Sequence, residues 1–294
     1  MAEQHNKYDV NNDGSVDMGD VTAINDALLN GDKDPRFDAN NDGEVNIYDV
    51  VDTIDEILNP KPNDEDKVFT INDVTFKMRK IEGGTFNMGT TNELGMGTNE
   101  TPQHVVHITK PFWICETQVT QALWKSIMGN NPSKFTENPN NPVERVSWND
   151  CQEFIAKLNE LTGEKFRLPT EAEWEFSARG GNKGQGTMYS GGANLKEVGW
   201  YVSNSWETTH AVAQKNCNEL GLYDMSGNVS EWVNDYYSAY KAEQQTDPQG
   251  NVTGTYRVYR NGGFCDSAAK CRCAYRYPAA QTYKLNSLGF RLAM

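Results

Sequence analysis

The 294-residue sequence has no run of 18 apolar residues, so no segment reads as a membrane-spanning helix. It has no surplus of basic side chains either: 27 Lys and Arg stand against 41 Asp and Glu, a formal net charge of −14. A protein that neutralises phosphates needs a basic face, so no nucleic-acid partner is expected. Histidine is scarce, at four residues. His104 and His107 sit three apart in the β-like run QHVVHI, which turns them to opposite faces, where they cannot share a metal. The N-terminus, MAEQHNKYDV, lacks a basic-then-apolar leader, leaving a cytosolic chain or one that begins after a removed export signal. The length allows two domains.

The acidity is concentrated at one end. Residues 1–60 hold 15 of the 41 acids and 3 of the 27 bases, a net of −12, which leaves 26 acids and 24 bases beyond them. The same segment contains a repeat: DVNNDGSVDMGDVTAINDALL from Asp9 and DANNDGEVNIYDVVDTIDEIL from Asp38. Side-chain oxygens fall at loop positions 1, 3, 5, 9 and 12, namely Asp9, Asn11, Asp13, Asp17 and Asp20, then Asp38, Asn40, Asp42, Asn46 and Asp49. Position 6 is Gly14 or Gly43, where the chain turns sharply, and position 7, Ser15 or Glu44, offers its carbonyl. Hard oxygens at this spacing suit Ca²⁺, so two ions are expected here. Position 8, Val16 or Val45, is apolar and anchors each loop. Amphipathic helices follow, carrying Val21, Ile24 and Leu28, then Val50, Ile54, Ile57 and Leu58.

With Asp at position 12 and no full helix before the first loop, residues 7–59 resemble a dockerin, the duplicated calcium-loop module of cellulosomal proteins. The resemblance implies docking onto a cohesin, or intramolecularly onto a neighbouring domain. It also implies an extracellular place, either secreted or at a bacterial cell surface. Positions 10 and 11, Met18-Gly19 and Ile47-Tyr48, differ between the copies and leave the partner open. Asn59–Asp66 reads as a stiff polar linker. The expected organisation is a calcium module over 1–60, a linker over 61–67 and a large domain over 68–294.

The large domain is rich in Gly, Pro, Asn and Trp. Helices are predicted over Thr120–Met128, from Ser147 or Asn149 to Leu161, and over Thr170–Arg179; strands are predicted over Phe69–Met78 and Tyr256–Tyr259. Arg167, Glu171, Glu173 and Arg179 read as one structural ion-pair network, and Cys151 and His210 as packing residues. The segments ETQVTQALWKSIMG (116–129), PVERVSWND (142–150), FRLPTEAEWEFSARGG (166–181), LGLYDMSGNVSEW (220–232) and LGFRLA (288–293) occur in order. Together they resemble the formylglycine-generating enzyme, or sulfatase-modifying factor, family over residues 76–294.

This resemblance implies an α+β domain of C-type lectin fold with little regular secondary structure, beside the small all-α calcium module. It also implies one or two calcium ions in the large domain. The first would bind at Asp224, Gly227, Val229 and Glu231 through two side-chain and two carbonyl oxygens. The second maps onto Asn194, Leu195, Asn204 and Trp206, where Asn204 replaces an Asp of the family. Ser230 stands where the family has tryptophan.

Catalytic members hold Cu⁺ between two thiolates spaced Cys-x₄-Cys, and soft thiolates suit that ion. Here the spacing from Cys265 to Cys271 is Cys-x₅-Cys, and Gly263 replaces a serine. We therefore expect no catalytic residue, and copper only under the alternative of a formylglycine-generating oxidase using Cys265 and Cys271. In an exported protein the six cysteines admit up to three disulfides, in 15 pairings.

The expected function is ligand binding by the C-terminal segment. Its framework is Arg260, Gly262, Arg272, Arg276, Gly289, Phe290 and Arg291. Between those points lie Phe264, Cys265, Asp266, Ala268, Lys270, Cys273, Tyr275, Tyr277, Tyr283, Lys284 and Asn286, the candidate contacts with a protein or carbohydrate ligand. Tyrosine with small polar residues on loops is the composition of adaptable binding surfaces. The segment, ending near GFR, is also similar to the variable proteins of diversity-generating retroelements. A structural subunit assembled through the calcium module is a further alternative.

Overall fold

A computed structural model describes residues 7–13, 15–40, 42–58, 66–91 and 97–294. The chain divides into two compact units, Met1–Asp64 and Glu65–Met294.

In the first unit, each acidic loop runs into a helix, α1 over Met18–Asn30 and α2 over Ile47–Leu58. Asp17 caps α1 by accepting from Gly19 N, and Asp20 accepts from Asp17 N in a reciprocal capping box. Gly31, in the left-handed region at φ 67°, ends the helix. The two loops share the same backbone-to-carboxylate pattern. Asp13 N donates to Asp9 and Asn11, and Asp42 N to Asp38 and Asn40. Asp20 accepts from Asn11 N, as Asp49 does from Asn40 N. Tyr8, Val10, Val21, Ile24, Ala27, Phe37, Ala39 and Val50 form the core between the helices, with Val16 and Val45 packed at its edge. Gly14 and the side chain of Leu58 lie outside the described residues. So do residues 59–65 of the linker stretch, whose last residue, Asp66, is tied to Arg79 at 2.8 Å.

The second unit begins with a hairpin, β1 (Lys67–Ile71) and β2 (Val74–Ile81), where one strand was expected over Phe69–Met78. Asn72 and Asp73, at φ 47° and 66°, turn the chain between them, a conformation that short Asx side chains tolerate and β-branched residues do not. Next come β3 (Gly84–Met88), β4 (His104–Ile108) and β5 (Phe112–Cys115), then α3 (Gln121–Met128), α4 (Trp148–Thr162), α5 (Glu171–Ala178) and the single turn α6 (Leu195–Val198). The chain closes through β6 (Ser230–Tyr236), β7 (Gln245–Thr246), β8 (Arg257–Arg260), β9 (Arg276–Ala279) and β10 (Leu288–Phe290). The three long helices start within a residue or two of the positions their sequences signal, because Thr120, Ser147 and Thr170 each accept a backbone N–H of the first turn.

Three small sheets result, in orders β1-β2-β5, β3-β4-β7 and β10-β6-β8-β9. The strands are short and loops occupy most of the unit, as expected for the C-type lectin variant of the formylglycine-generating enzymes. On β4, His104 is buried and His107 faces the other way, bonded to Thr85. The last residues run through the middle of the fold. Cys115 N donates to Leu292 O, and Arg167 and Ala293 exchange both backbone hydrogen bonds. The C-terminal segment thus begins and ends in the core, around Trp124, Phe154, Trp232 and Phe290.

Candidate functional site

Residues 260–291 form a frame of buried arginines with exposed side chains between them. Arg260, Arg272 and Arg291 are fully buried and Arg276 nearly so, each against a carboxylate. Arg272 meets Glu100 through two parallel bonds of 2.7 and 2.8 Å. Arg260 bridges Glu171 and Glu175, and Arg276 takes both oxygens of Glu171. Burial alone would raise Glu171; Arg276 and Arg260 outweigh it and hold the carboxyl below its ordinary range. A buried guanidinium is tolerated only with matched acceptors, so these pairs fix the segment's path between its loops.

Two of these carboxylates, Glu171 and Glu175, come from α5, all eight residues of which are buried. Of the network expected of Arg167, Glu171, Glu173 and Arg179, Glu171 and Arg179 are linked through Glu175 and Arg260, while Arg167 and Glu173 form a separate pair. Arg167 pairs with Glu173 and Arg179 with Glu175, while Glu171 serves Arg260 and Arg276. The sequence reading missed Glu175 and Glu100. Glu175 had a signal, lying one helical turn after Glu171; Glu100 had none, because its partner is 172 residues away.

Between the arginines the candidate contacts divide. Phe264 is buried, its ring edge-on to Phe135 at 5.1 Å, and Cys273 is buried near Trp174 and Phe176. Neither is available to a ligand, which corrects both assignments. Cys265, Lys270 and Lys284 are exposed, Ala268 and Asn286 half-buried. Asp266 accepts from Gly263 N and Lys270 Nζ, and Lys284 pairs with Asp150 at 2.6 Å. Tyr277 and Tyr283 are 48% and 42% exposed and Tyr275 is half-buried. Tyr259, which the sequence reading passed over, joins them. It sits opposite Tyr277 in the β8–β9 register with ring centroids 5.6 Å apart, and Tyr277 stacks on Tyr275 at 6.5 Å. Burial pushes the Tyr275 phenol up to about 12, so it stays a neutral donor. The result is a tyrosine surface flanked by a thiol, an acid and two lysines.

All six cysteines are free thiols, so no disulfide pins the segment. Cys271 is fully buried beside Leu195, Val198 and Tyr201, and burial pushes its thiol well above the ordinary range, whereas Cys265 is exposed. Copper would need both sulfurs as thiolates, whereas burial keeps Cys271 a neutral thiol.

The oxygens assigned to calcium are met by protein donors instead. Asp224 contributes its backbone carbonyl to the cluster, while its carboxyl accepts from Ala213 N and is pushed up to about 6 by burial. The carbonyls of Gly227 and Val229 and Oε1 of Glu231 face amide nitrogens of Gln118 and Asn261, and Glu231 is paired with Arg291. At the second assignment, Asn204 accepts from Tyr201 N and donates to Gly199 O, and Asn194 caps α6. Leu195 is buried, and Trp206 is 79% exposed at φ 51°. His210 stacks on Trp200 at 3.8 Å, as a packing residue.

A cavity of about 340 Å³ that the sequence did not reveal is lined by Glu171, Asp235, Tyr240 and Arg276 of the arginine frame, with His104 and Asn251. Burial, with Glu171 and Glu173 nearby, raises the Asp235 carboxyl to about 7.

Comparison with known proteins agrees with this geometry. Residues 72–294 match the sulfatase-modifying factor enzyme 1-like domain. The chain is 30% identical to the chaperone protein LppX of Paenibacillus barcinonensis, aligning over 66% of this chain and 81% of that protein. It is 36% identical to the formylglycine-generating enzyme of Streptomyces coelicolor, over 62% of this chain and 60% of the enzyme's own length. Among solved structures, Treponema denticola variable protein 1 superposes with a TM-score of 0.72 at 32% identity, covering 79% of this chain and 99% of that one. PvdO from Pseudomonas aeruginosa follows with a TM-score of 0.66 at 27% identity, covering 77% and 97%. No helix among the described residues is long and apolar enough to cross a membrane.

Proposed function

The chain belongs to the sulfatase-modifying factor enzyme 1-like family, and on that premise we propose that its large unit is a binding head without catalysis. The ligand is a protein or carbohydrate bound on the tyrosine surface of Tyr259, Tyr275, Tyr277 and Tyr283. The carrying observation is the contrast within one segment: arginines locked in the core, tyrosines displayed between them. A rigid frame under rotamer-poor aromatic side chains lowers the entropy lost on binding. Likeness to a variable protein over nearly its whole length favours this reading, and retroelement-driven variation of the exposed positions extends it. The buried Cys271 speaks against thiolate chemistry.

The first unit is a dockerin-like docking module that binds one Ca²⁺ per loop, in an exported protein. Its support is the shared backbone-to-carboxylate pattern of the two loops and the burial of Asp20 and Asp49. Burial raises the Asp20 carboxyl, and negative charge from Asp9 and Asp13 raises it further, a strain that a cation would relieve. As they stand, the carboxylates are fastened to backbone N–H groups, and no three acids among the described residues close into a cage.

The test for catalysis is incubation with a Cys-x-Pro-x-Arg peptide, copper and oxygen. The peptide should be recovered unchanged, and an aldehyde product would overturn the binding reading. In array binding against glycans and bacterial surface proteins, Tyr277→Ser with Tyr283→Ser should abolish the captured signal; signal retained in full would move the ligand elsewhere. Across related strains, base changes clustered at adenines in the last hundred or so bases are expected, and a uniform pattern would sink the diversification reading.

A further inference from the structure

At the centre of the large unit, four oxygens converge as they would around a cation: the carbonyls of Asp224, Gly227 and Val229, and Oε1 of Glu231. Nitrogen atoms face them. Gln118 Nε2 lies 3.2 Å from Asp224 O, 3.4 Å from Gly227 O, 2.8 Å from Val229 O and 2.9 Å from Glu231 Oε1. Asn261 Nδ2 lies 3.1, 2.8 and 3.1 Å from the same three carbonyls. We propose that this is a cation site closed by the protein itself, in which the Gln118 and Asn261 amides replace the ion and let the large unit fold and bind without calcium.

Three features carry the proposal. The first is stoichiometry: two primary amides bring four N–H groups to four acceptors, so each oxygen can be matched without a metal. The second is orientation. Asn261 Oδ1 accepts from Gly227 N at 2.7 Å and Gly262 N at 2.8 Å, which turns its NH₂ toward the carbonyls. Asn261 can do this because it holds φ 67°, a backbone conformation that asparagine tolerates better than most residues. The third is charge. The one carboxylate of the cluster, Glu231, is already neutralised by Arg291 at 2.7 and 2.8 Å and takes a further bond from Trp174 Nε1 at 2.7 Å. Asp224 offers the cluster only its carbonyl, its carboxyl accepting from Ala213 N instead, so a divalent ion would find no uncompensated anion among the four oxygens and would have to drive Gln118 out or invert its amide. The turn itself needs no ion to hold it. Gly227 sits at φ 105°, where a Cβ would collide with Trp200 O, so glycine alone permits the close approach.

The second assignment repeats the device more simply. The Asn204 amide spans its own loop, accepting from Tyr201 N at 2.8 Å and donating to Gly199 O at 2.9 Å. Calcium dependence is then confined to the first unit, and the two units answer differently to a chelator.

All seven tryptophans lie between Trp113 and Trp232, so their fluorescence reports on the large unit alone, whatever the first unit binds. The full chain carrying Asp13→Ala and Asp42→Ala is dialysed against calcium at about 1 mM, a level that loads extracellular calcium modules, and its metal is counted. Less than a tenth of an ion per chain is expected. The tryptophan-reported melting curve of the unaltered chain should be the same in calcium and in chelator. One ion retained per chain, or a melting curve raised by calcium, overturns the proposal. Gln118→Glu restores a second carboxylate beside Glu231 and should make the melt calcium-dependent; a variant that melts identically with and without the ion shows that the amide is not what excludes it. If Gln118→Glu does not fold, the count and the melt of the unaltered chain still decide. Failure of the first unit to bind calcium would leave every one of these readouts unchanged.

Discussion

Replacing Asp235 by Asn should stabilise the large unit at alkaline pH and leave it unchanged in acid. Asp235 is 5% exposed on the wall of the 340 Å³ cavity, one of its oxygens accepting from Glu171 N at 2.8 Å. Burial, and then the negative charge of Glu171, raises its carboxyl from 3.8 to about 7. Between those values the folded chain keeps a proton that the unfolded chain releases. Stability therefore falls as pH rises through that window, and the loss is complete above it. At about 1.4 kcal/mol per pH unit over roughly three units, the ionised carboxylate costs about 4 kcal/mol at pH 8. Asparagine cannot ionise, and its amide oxygen can keep the bond from Glu171. Urea unfolding followed by tryptophan fluorescence, at fixed calcium, should show Asp235→Asn more stable by about 4 kcal/mol at pH 8. The gap should close to under about 1 kcal/mol at pH 4. A difference that does not vary with pH, or a variant less stable at pH 8, refutes the reasoning.

Asp13→Ala with Asp42→Ala should abolish calcium heats in calorimetry at the first unit, while tryptophan fluorescence reports an unchanged large unit. Arg272→Met leaves Glu100 buried without its bidentate partner and should cost about 3–5 kcal/mol in urea unfolding; adding Glu100→Leu should return most of that, and a double variant as unstable as the single would show that the pair is not the cause. In the native chain, iodoacetamide should label Cys265 within minutes, whereas Cys115, Cys151, Cys271 and Cys273 react only after unfolding; mass spectrometry of peptides reads the order.

Much of the fold was legible because local chemistry wrote it. The Thr120, Ser147 and Thr170 caps marked helix starts, and the paired loops declared their own repeat. The hairpin at Asn72-Asp73 was missed because Phe69–Met78 reads as one alternating run unless the Asn-Asp pair is taken as a turn. In the C-terminal segment composition named candidate contacts, yet it could not sort the exposed from the buried. Phe264 and Cys273 lie among Tyr, Ser and Ala in sequence and turn inward in the fold. Tyr259 was missed because it precedes the segment on β8, and only strand pairing sets it beside Tyr277.

The sequence by itself determined the acidic first unit, its two oxygen-rich loops and the family of the large unit, since each depends on residues near one another along the chain. Tertiary structure decided which carboxylates meet which arginines, which thiols are buried and which tyrosines face outward. It also decided that Gln118 and Asn261, 143 positions apart, meet at the oxygens of the 224–231 turn. Those outcomes depend on desolvation and on donor–acceptor matching between distant segments. Neither can be read from spacing, because the partner that makes a buried charge or carbonyl tolerable is chosen only when the chain closes on itself.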